Sequence, residues 1–192
     1  MKNVEQFFAN ALMTTPVNFA FTNSGTQQVY HTAYRNKLAN KDLSIAVDHL
    51  GHDFLYQTAG AAAIDLYLAD DVYIHPNLVT KVDLGIALDY PVGLAGLILP
   101  RSSNGKQDFQ IVLSNGTGLI DSDYKGTLWA QFTTLNNNAA TIHLKRGERF
   151  AQILTIPYIK IAPNLVEWDS FKDSTKRGTL GLGEGTGSQQ NA

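Results

Sequence analysis

The sequence predicts an all-β fold, a β-sandwich or barrel-like domain, with a short helical extension at its N-terminus. Short apolar runs recur along the middle of the chain and are separated by polar, turn-rich segments, as in sheets built from many short strands. At 192 residues, of which 44% are hydrophobic, the chain is long enough for one well-buried domain.

The N-terminal segment, residues 1–42, is predicted to be a partly helical extension. Apolar residues recur at helical spacing from Val4 to Leu12, and Pro16 would end such a helix. We expect this stripe to pack onto the rest of the protein or a neighbouring subunit, with binding of a protein partner as the alternative. The stretch from Asn18 to Lys41 is polar and is expected to be irregular.

Residues 43–170 are the predicted β domain. Val82, Leu84, Ile86 and Leu88 alternate with polar or small residues over positions 81–89, the period-two pattern of a half-buried strand. Further strands are predicted at five apolar runs: Leu94–Leu99, Ile111–Leu113, Leu128–Phe132, Thr141–Leu144 and Phe150–Ile156.

Residues 171–192 are predicted to be a flexible, glycine-rich C-terminal arm. Residues 177–187 contain five glycines, which supply flexibility and backbone donors. The segment lacks the Gly-Lys-Ser/Thr of a P-loop. A disordered tail is the alternative that composition alone favours.

Composition restricts the classes of partner. The net charge of −2 gives no basic field for nucleic acid, so phosphate must be bound by a few placed cations and backbone amides. The chain has no cysteine, which excludes disulfides and thiol chemistry. Polar residues interrupt the N-terminal apolar stripe, so neither a signal peptide nor a spanning helix is expected. We predict a soluble, cytoplasmic protein without nucleic-acid or membrane partners.

A candidate phosphate site follows one of the predicted strands. Arg101, Ser102 and Ser103 come directly after an apolar run and Pro100, where the backbone turns. A guanidinium with neighbouring hydroxyls suits phosphate oxygens. An ordinary surface turn is the alternative.

Asp121 is the candidate catalytic base. It follows Leu119 and Ile120, and an acid next to a buried apolar pair is partly desolvated, where it can orient and deprotonate a water. The alternative is an aspartate that caps a turn, since Asp-Ser-Asp is common turn composition.

Five segments in fixed order resemble the motifs of the trimeric dUTP pyrophosphatase (dUTPase) family, and the resemblance covers about residues 43–189. They are Ala61–Leu66, Pro100–Ser103, Asn115 with Gly118–Gly126, Gly147–Gln152 and Arg177–Gly187.

The resemblance implies hydrolysis of dUTP to dUMP and pyrophosphate with Mg²⁺, in a homotrimer with shared active sites and a jelly-roll β-sandwich fold. By the match, Asp121 orients the water that attacks the α-phosphorus. Tyr124 lies against the deoxyribose and excludes a 2′-hydroxyl, and Asn115 hydrogen-bonds uracil.

The other implied roles concern the triphosphate. Ser102 donates towards the leaving pyrophosphate, Gln152 contacts the phosphate chain, and Arg177 binds the γ-phosphate as the arm closes. Asp65 is assigned indirectly to metal-bound water, with a structural ion pair to Arg101 weighed equally. The motifs also imply substrate contacts from Arg101, Ser103, Gly118, Ile120, Leu182 and Thr186.

The chain departs from the family pattern in three motifs. Ala63 and Ser103 stand where glycine is common, and an extra residue lies near Glu184. Leu182 replaces a phenylalanine that stacks on uracil, which predicts a closed complex weaker by about two- to twelve-fold. The extension and the altered arm support one alternative: a dUTPase-fold binding or regulatory protein with weak or no turnover, which contacts a protein partner through residues 1–42.

Overall fold

The structure, a computed structural model, describes residues 17–39, 56–58, 60–106, 110–136, 140–175 and 178–179. The predicted helix at residues 4–12 lies outside these residues. The chain divides into two compact units, Met1–Tyr158 and Ile159–Ala192. The boundary between the units falls just after the last described strand.

Strands dominate the described part of the first unit, which confirms the predicted all-β class. In the described residues of this unit they are accompanied by an α-helix, α1 (Ser24–Ala39), and a 3₁₀ turn (Ser102–Gly105). The strands are β1 (Asn18–Phe21), β2 (Ala63–Tyr67), β3 (Val72–Ile74), β4 (Thr80–Asp83), β5 (Ile86–Asp89), β6 (Leu94–Pro100), β7 (Ile111–Leu113), β8 (Gly118–Ile120), β9 (Trp129–Thr134), β10 (Ile142–Leu144) and β11 (Arg149–Pro157).

The strands form antiparallel sheets that enclose a common core. The largest sheet has the order β2-β11-β6-β8, a second has the order β4-β9-β7, and β1-β5 and β10-β3 are two-stranded. Phe132 of β9 and Phe150 of β11 are buried, and their ring centroids lie 4.4 Å apart. The two larger sheets therefore face each other across the core, as expected for a sandwich.

The alternation over residues 81–89 correctly marks the buried side chains but not a single strand. Val82, Leu84, Ile86 and Leu88 are all buried. The chain nevertheless turns at Gly85, whose φ of 64° is left-handed, and divides into β4 and β5 in different sheets. The prediction of one strand was wrong because a glycine turn can preserve the burial pattern.

The prediction that Asn18 to Lys41 is irregular was also wrong. Strand β1 pairs with β5 from Asn18 opposite Asp89 to Phe21 opposite Ile86. The side-chain oxygen of Asn23 caps α1 by accepting from the Thr26 amide at 2.8 Å. The helix is mostly polar in sequence, although Val29 and Tyr30 are buried.

The second unit contains a short helix, α2 (Trp168–Lys172), after an irregular segment. Lys172 Nζ donates to Asp169 Oδ1 at 2.7 Å across one turn of this helix. Most of its large apolar side chains are exposed: Ile159, Ile161, Leu165, Val166, Trp168 and Phe171. Among the described helices of the chain, none combines the length and apolar character that crossing a membrane requires.

Candidate active site

A buried carboxylate between two guanidinium groups forms the first part of the site. Asp65 on β2 is 6% exposed. Its Oδ1 accepts from Arg101 Nε at 3.0 Å, and its Oδ2 accepts from Arg149 Nη1 at 3.1 Å. We call Asp65, Arg101, Ser103 and Arg149 the arginine cluster. The sequence predicted two alternatives for Asp65, a structural ion pair with Arg101 and a place beside metal-bound water. The ion pair is present.

Strand register explains why residues distant in sequence meet here. Strand β11 lies between β2 and β6, so Gln152 is opposite both Asp65 and Leu99. Arg149 opens β11, and Arg101 follows the last residue of β6. Antiparallel pairing thus brings the first, second and fourth sequence motifs to one end of the sheet.

The turn after β6 is fixed by hydrogen bonds to β11. Arg101 Nη1 donates to the Arg149 carbonyl at 3.0 Å and to Ser103 Oγ at 3.4 Å. Asn104 is buried, and its side-chain Nδ2 donates to the Phe150 carbonyl at 2.7 Å. Ser102 is exposed, and the Arg101 side chain keeps 23% exposure, so an anion can reach both.

The charge of the arginine cluster is positive, since two guanidinium groups face one carboxylate. Tyr67 lies beside it, accepting from the Gln57 side chain at 3.1 Å. Burial raises the pKa of the Tyr67 phenol, while the Arg149 charge opposes that shift. Tyr67 therefore stays neutral near pH 7, and the cluster retains its cationic character for phosphate.

The second part of the site surrounds β8, at the edge of the four-stranded sheet. Asn115 lies in the turn before β8, and Asp121 follows the strand directly. Ile120 is buried, but Leu119 and Asp121 are exposed. The expectation of a partly desolvated Asp121 after a buried apolar pair is therefore not met within one chain, because one face of this edge strand is uncovered.

The segment after β8, residues 121–127, is called the edge loop below. The Tyr124 amide donates to the Asp121 carbonyl at 3.2 Å. The Tyr124 hydroxyl donates to the Thr127 carbonyl at 2.7 Å. A Cβ added at Gly126 would lie 2.6 Å from the Tyr124 hydroxyl, so glycine permits this ring position.

The two parts of the site lie far apart within one chain. Ile120 pairs with Gly96 near the start of β6, whereas Arg101 follows the end of that strand. Asp121 and Arg101 are thus separated by about six strand residues, roughly 20 Å. The chain brings Arg101, Ser102, Ser103 and Gln152 together near Asp65. It gathers Asn115, Gly118, Ile120, Asp121 and Tyr124 around β8.

Three predicted residues, Arg177, Leu182 and Thr186, lie outside the described residues. Sequence reasoning also missed two residues that organise the arginine cluster, Arg149 and Asn104. Arg149 falls within the Gly147–Gln152 motif, and its pairing with Asp65 depends on strand register. Asn104 gives no signal, because Asn-Gly is common in turns.

The described acids and histidines do not form a cage for a metal. Within the described ranges, no group of three or more His, Asp or Glu side chains could hold an ion.

Comparison with known proteins identifies a family relationship. Residues 50–186 match the family model described as dUTPase. The deoxyuridine 5′-triphosphate nucleotidohydrolase of Aromatoleum aromaticum is 38% identical over 146 residues, covering 74% of this chain and 94% of the relative.

Two solved structures show the extent of the structural likeness. The dUTPase of Streptococcus mutans is 31% identical, with a TM-score of 0.51 over 56% of this chain and 86% of that chain. A mutant dUTPase from phage phi11 of S. aureus, described with a structural Mg(II) ion, is 17% identical. Its TM-score is 0.57, with 80% of this chain and 97% of that chain covered, and at this identity the likeness concerns the fold alone.

Proposed function

The chain belongs to the dUTPase family, and on that premise we propose that it hydrolyses dUTP to dUMP and pyrophosphate at sites shared between chains. The proposal that sites are shared is supported by the separation of Asp121 from Arg101 within one chain. A single triphosphate cannot span roughly 20 Å between its α-phosphorus and its binding arginine. The arginine cluster of one chain and the edge loop of another must therefore meet, as in a homotrimer with three shared sites.

The phosphates occupy the arginine cluster in this proposal. The guanidinium of Arg101 is held by Asp65 and the Arg149 carbonyl at 3.0 Å each, so it is positioned before substrate arrives. Ser102 donates to the oxygen that bridges to the leaving pyrophosphate. Gln152, whose Nε2 donates to the Pro100 carbonyl at 3.0 Å, contacts the phosphate chain.

The nucleoside lies along β8 of the other chain. Asn115 at one end hydrogen-bonds uracil, with backbone groups of Gly118 and Ile120 alongside. Tyr124 lies against the deoxyribose, leaving no room for a 2′-hydroxyl. A Cβ at Gly118 would lie 3.1 Å from the Cβ of Ile98, so glycine here lets β8 pack closely beside β6.

Asp121 supplies general-base catalysis. Its carboxylate orients a water and accepts its proton as the water oxygen bonds to the α-phosphorus. The bond from that phosphorus to the bridging oxygen breaks, and pyrophosphate leaves with the electron pair. Arg101 and Ser102 stabilise the negative charge that develops on the leaving group.

Mg²⁺ is proposed to bind with the triphosphate, where it would neutralise phosphate charge. Asp65 is the described carboxylate at the arginine cluster, and it would meet the ion through water. Both Asp65 oxygens already accept from arginines, so direct coordination is not part of the proposal.

We extend the proposal to the C-terminal arm on the resemblance of its motif. Arg177 would bind the γ-phosphate, with Leu182 and Thr186 covering the base and phosphates. Leu182→Phe should then tighten the complex with a non-hydrolysable dUTP analogue by about two- to twelve-fold. Unchanged affinity of the Leu182→Phe variant in a binding titration would show that Leu182 does not contact the nucleotide.

The alternative of a binding protein without turnover is not favoured, because relatives that match most of the chain are named for nucleotide hydrolysis. Pyrophosphate release with Mg²⁺ from dUTP, compared with dCTP, dTTP and UTP, tests the activity. Release from dUTP alone is expected. Absence of release from dUTP would contradict the proposal.

Subunit mixing tests the shared site. Asp121→Asn removes the base, and Ser102→Ala removes a phosphate donor while sparing the ion pairs. Each variant alone should be impaired, but co-expressed chains should regain turnover because mixed assemblies contain sites with both native residues. No gain over the separate variants would mean that the two residues do not act in sites shared between chains.

A further inference from the structure

The N-terminal segment described by the structure lies before the residues that match the family model, which begin at 50. It is nevertheless joined to the edge loop at two places. One connection starts at Asn18, the first residue of β1, and the other at Thr22, directly after β1. These contacts connect the extension to residues assigned to the sugar and the attacking water.

The first connection runs through Asp89. Asn18 Nδ2 donates to Asp89 Oδ2 at 3.0 Å, and the Lys125 ammonium donates to the other oxygen of that carboxylate. Lys125 also donates to the Ser122 carbonyl at 2.7 Å. The carboxylate thus links the beginning of β1 to the middle of the edge loop.

The second connection reaches Tyr124 through Thr127. The Thr127 hydroxyl donates to Asp83 Oδ1 at 3.0 Å, so Thr22 is the donor in its 3.4 Å hydrogen bond to Thr127. The Thr127 carbonyl accepts from the Tyr124 hydroxyl. The Thr22 amide is itself fixed, since it donates to the Gly85 carbonyl at 2.9 Å.

The segment that makes these connections is fixed to the rest of the unit by strand pairing and by a buried side chain. Four residues of β1 pair with β5. Thr26 in the first turn of α1 is fully buried, and a Cβ at Gly85 would lie 1.9 Å from its hydroxyl oxygen. A rigid support of this kind can restrict the positions of an exposed loop that it touches.

We propose that Asn18 and Thr22 are positioning residues that hold the edge loop in the geometry needed to discriminate dUTP from UTP. This inference rests on the proposed function, because it assigns the sugar contact to Tyr124. Thr22 acts through Thr127 on Tyr124, and Asn18 acts through Asp89 and Lys125.

The effects should be modest, because both connections are exposed to water. Thr22→Val removes the hydroxyl at nearly constant shape and should lower the ratio of kcat/KM for dUTP to that for UTP by about three-fold. Thr22→Ser keeps the hydroxyl and should restore the ratio. Combining Asn18→Ala with Thr22→Val should lower it by about ten-fold.

Two controls separate positioning from general destabilisation. Gln27→Ala alters an exposed side chain of α1 outside the two connections and should leave the ratio unchanged. In a Lys125→Met background, Asn18→Ala should have no further effect, because the route through Asp89 is already broken. Equal effects of Thr22→Val and Thr22→Ser, or full additivity of Asn18 and Lys125, would overturn the inference.

Hydrogen–deuterium exchange of the ligand-free protein gives a readout that does not depend on turnover. Exchange at residues 121–127 should rise in the Asn18→Ala, Thr22→Val double variant, while exchange in β6 and β11 stays as in the unaltered protein. Faster exchange in the edge loop of the double variant, if the unaltered protein does not hydrolyse dUTP, would support the role of Asn18 and Thr22 in holding the loop and contradict the proposed function. Unchanged loop exchange alongside normal dUTP hydrolysis would overturn the connection and leave that function in place.

Discussion

The arginine cluster and the edge loop differ in what fixes their geometry. The cluster is centred on a buried carboxylate, and three paired strands set its residues. The edge loop is largely exposed, and its hydrogen bonds run within the loop, to Tyr158 and to elements near β1 and β5. The difference suits the roles proposed for them: a phosphate site needs cations placed before binding, whereas a sugar site at an uncovered edge can be completed by another chain.

The largest expected effect separates catalysis from stability. Asp121→Asn keeps the shape of an exposed side chain but removes the base, so turnover of dUTP should fall by about 10²- to 10⁴-fold. The melting temperature should be unchanged. Steady-state kinetics and calorimetry of the variant measure both quantities.

Asp123→Asn is the matched control, since this acid is exposed in the same loop. Its turnover should stay close to that of the unaltered protein. Equal losses in the two variants would show that loop charge, and not the base at Asp121, controls the rate.

Asp65→Asn, unlike Asp121→Asn, should lower the stability of the protein. It leaves Arg101 and Arg149 without their shared counter-charge, and it should lower the free energy of unfolding by about 2–4 kcal/mol, discounted for the partial exposure of both arginines. Denaturant unfolding measures the loss. Asp70→Asn, at an exposed acid nearby, should be neutral, and an equally stable Asp65 variant would mean that the cluster does not stabilise the sheet.

A glycine in each region sharpens the comparison. Gly126→Ala would push a Cβ against the Tyr124 ring, so the preference for dUTP over UTP should fall by about three- to ten-fold. Gly105→Ala, in the turn beside the arginine cluster, meets open space and should change neither rate nor preference. Competition assays with both nucleotides measure the ratio, and a preserved preference in the Gly126 variant would contradict the role of Tyr124.

The smallest expected effect is a pH dependence of the edge loop. The hydrogen bond from Lys125, followed by that from Asn18, lowers the pKa of the Asp89 carboxyl below the usual aspartate range. The ionised Asp89 carboxyl therefore contributes its full stabilisation of the loop at pH values above the pKa that it has in the unfolded chain. This contribution is lost as the pH falls through the lower pKa of the folded protein. Loop protection, corrected for intrinsic exchange, should be constant from roughly pH 5 to 8 and decline only in more acidic solution. The same acid step in Lys125→Met would contradict the role of the ion pair.

Local pattern predicted the strands that appear in the sequence as continuous apolar runs. The runs from Leu94 and Phe150 became β6 and β11, the two inner strands of the four-stranded sheet, in which consecutive residues are buried. Helix α1 escaped prediction because its sequence is mostly polar. The division at Gly85 escaped because the burial pattern continues through the turn.

The candidate site was predictable as a set of residue types but not as a geometry. The order of the motifs predicted roles for Arg101, Asp121 and Tyr124, which stay predictions. The pairing of Arg149 with Asp65 depends on register between strands distant in sequence, and so does the separation of Asp121 from Arg101. The hydrogen bonds of Thr22 and Asn18 required β1 to be in place, which no local pattern indicated.

The separation of Asp121 from Arg101 also has a genetic consequence. With the shared sites proposed above, in a cell that makes equal amounts of native chain and a chain lacking both residues, a site works only when both contributing chains are native. Random assembly then leaves about a quarter of the sites active, where independent chains would leave half. Defective alleles of such a gene should act in a dominant-negative manner.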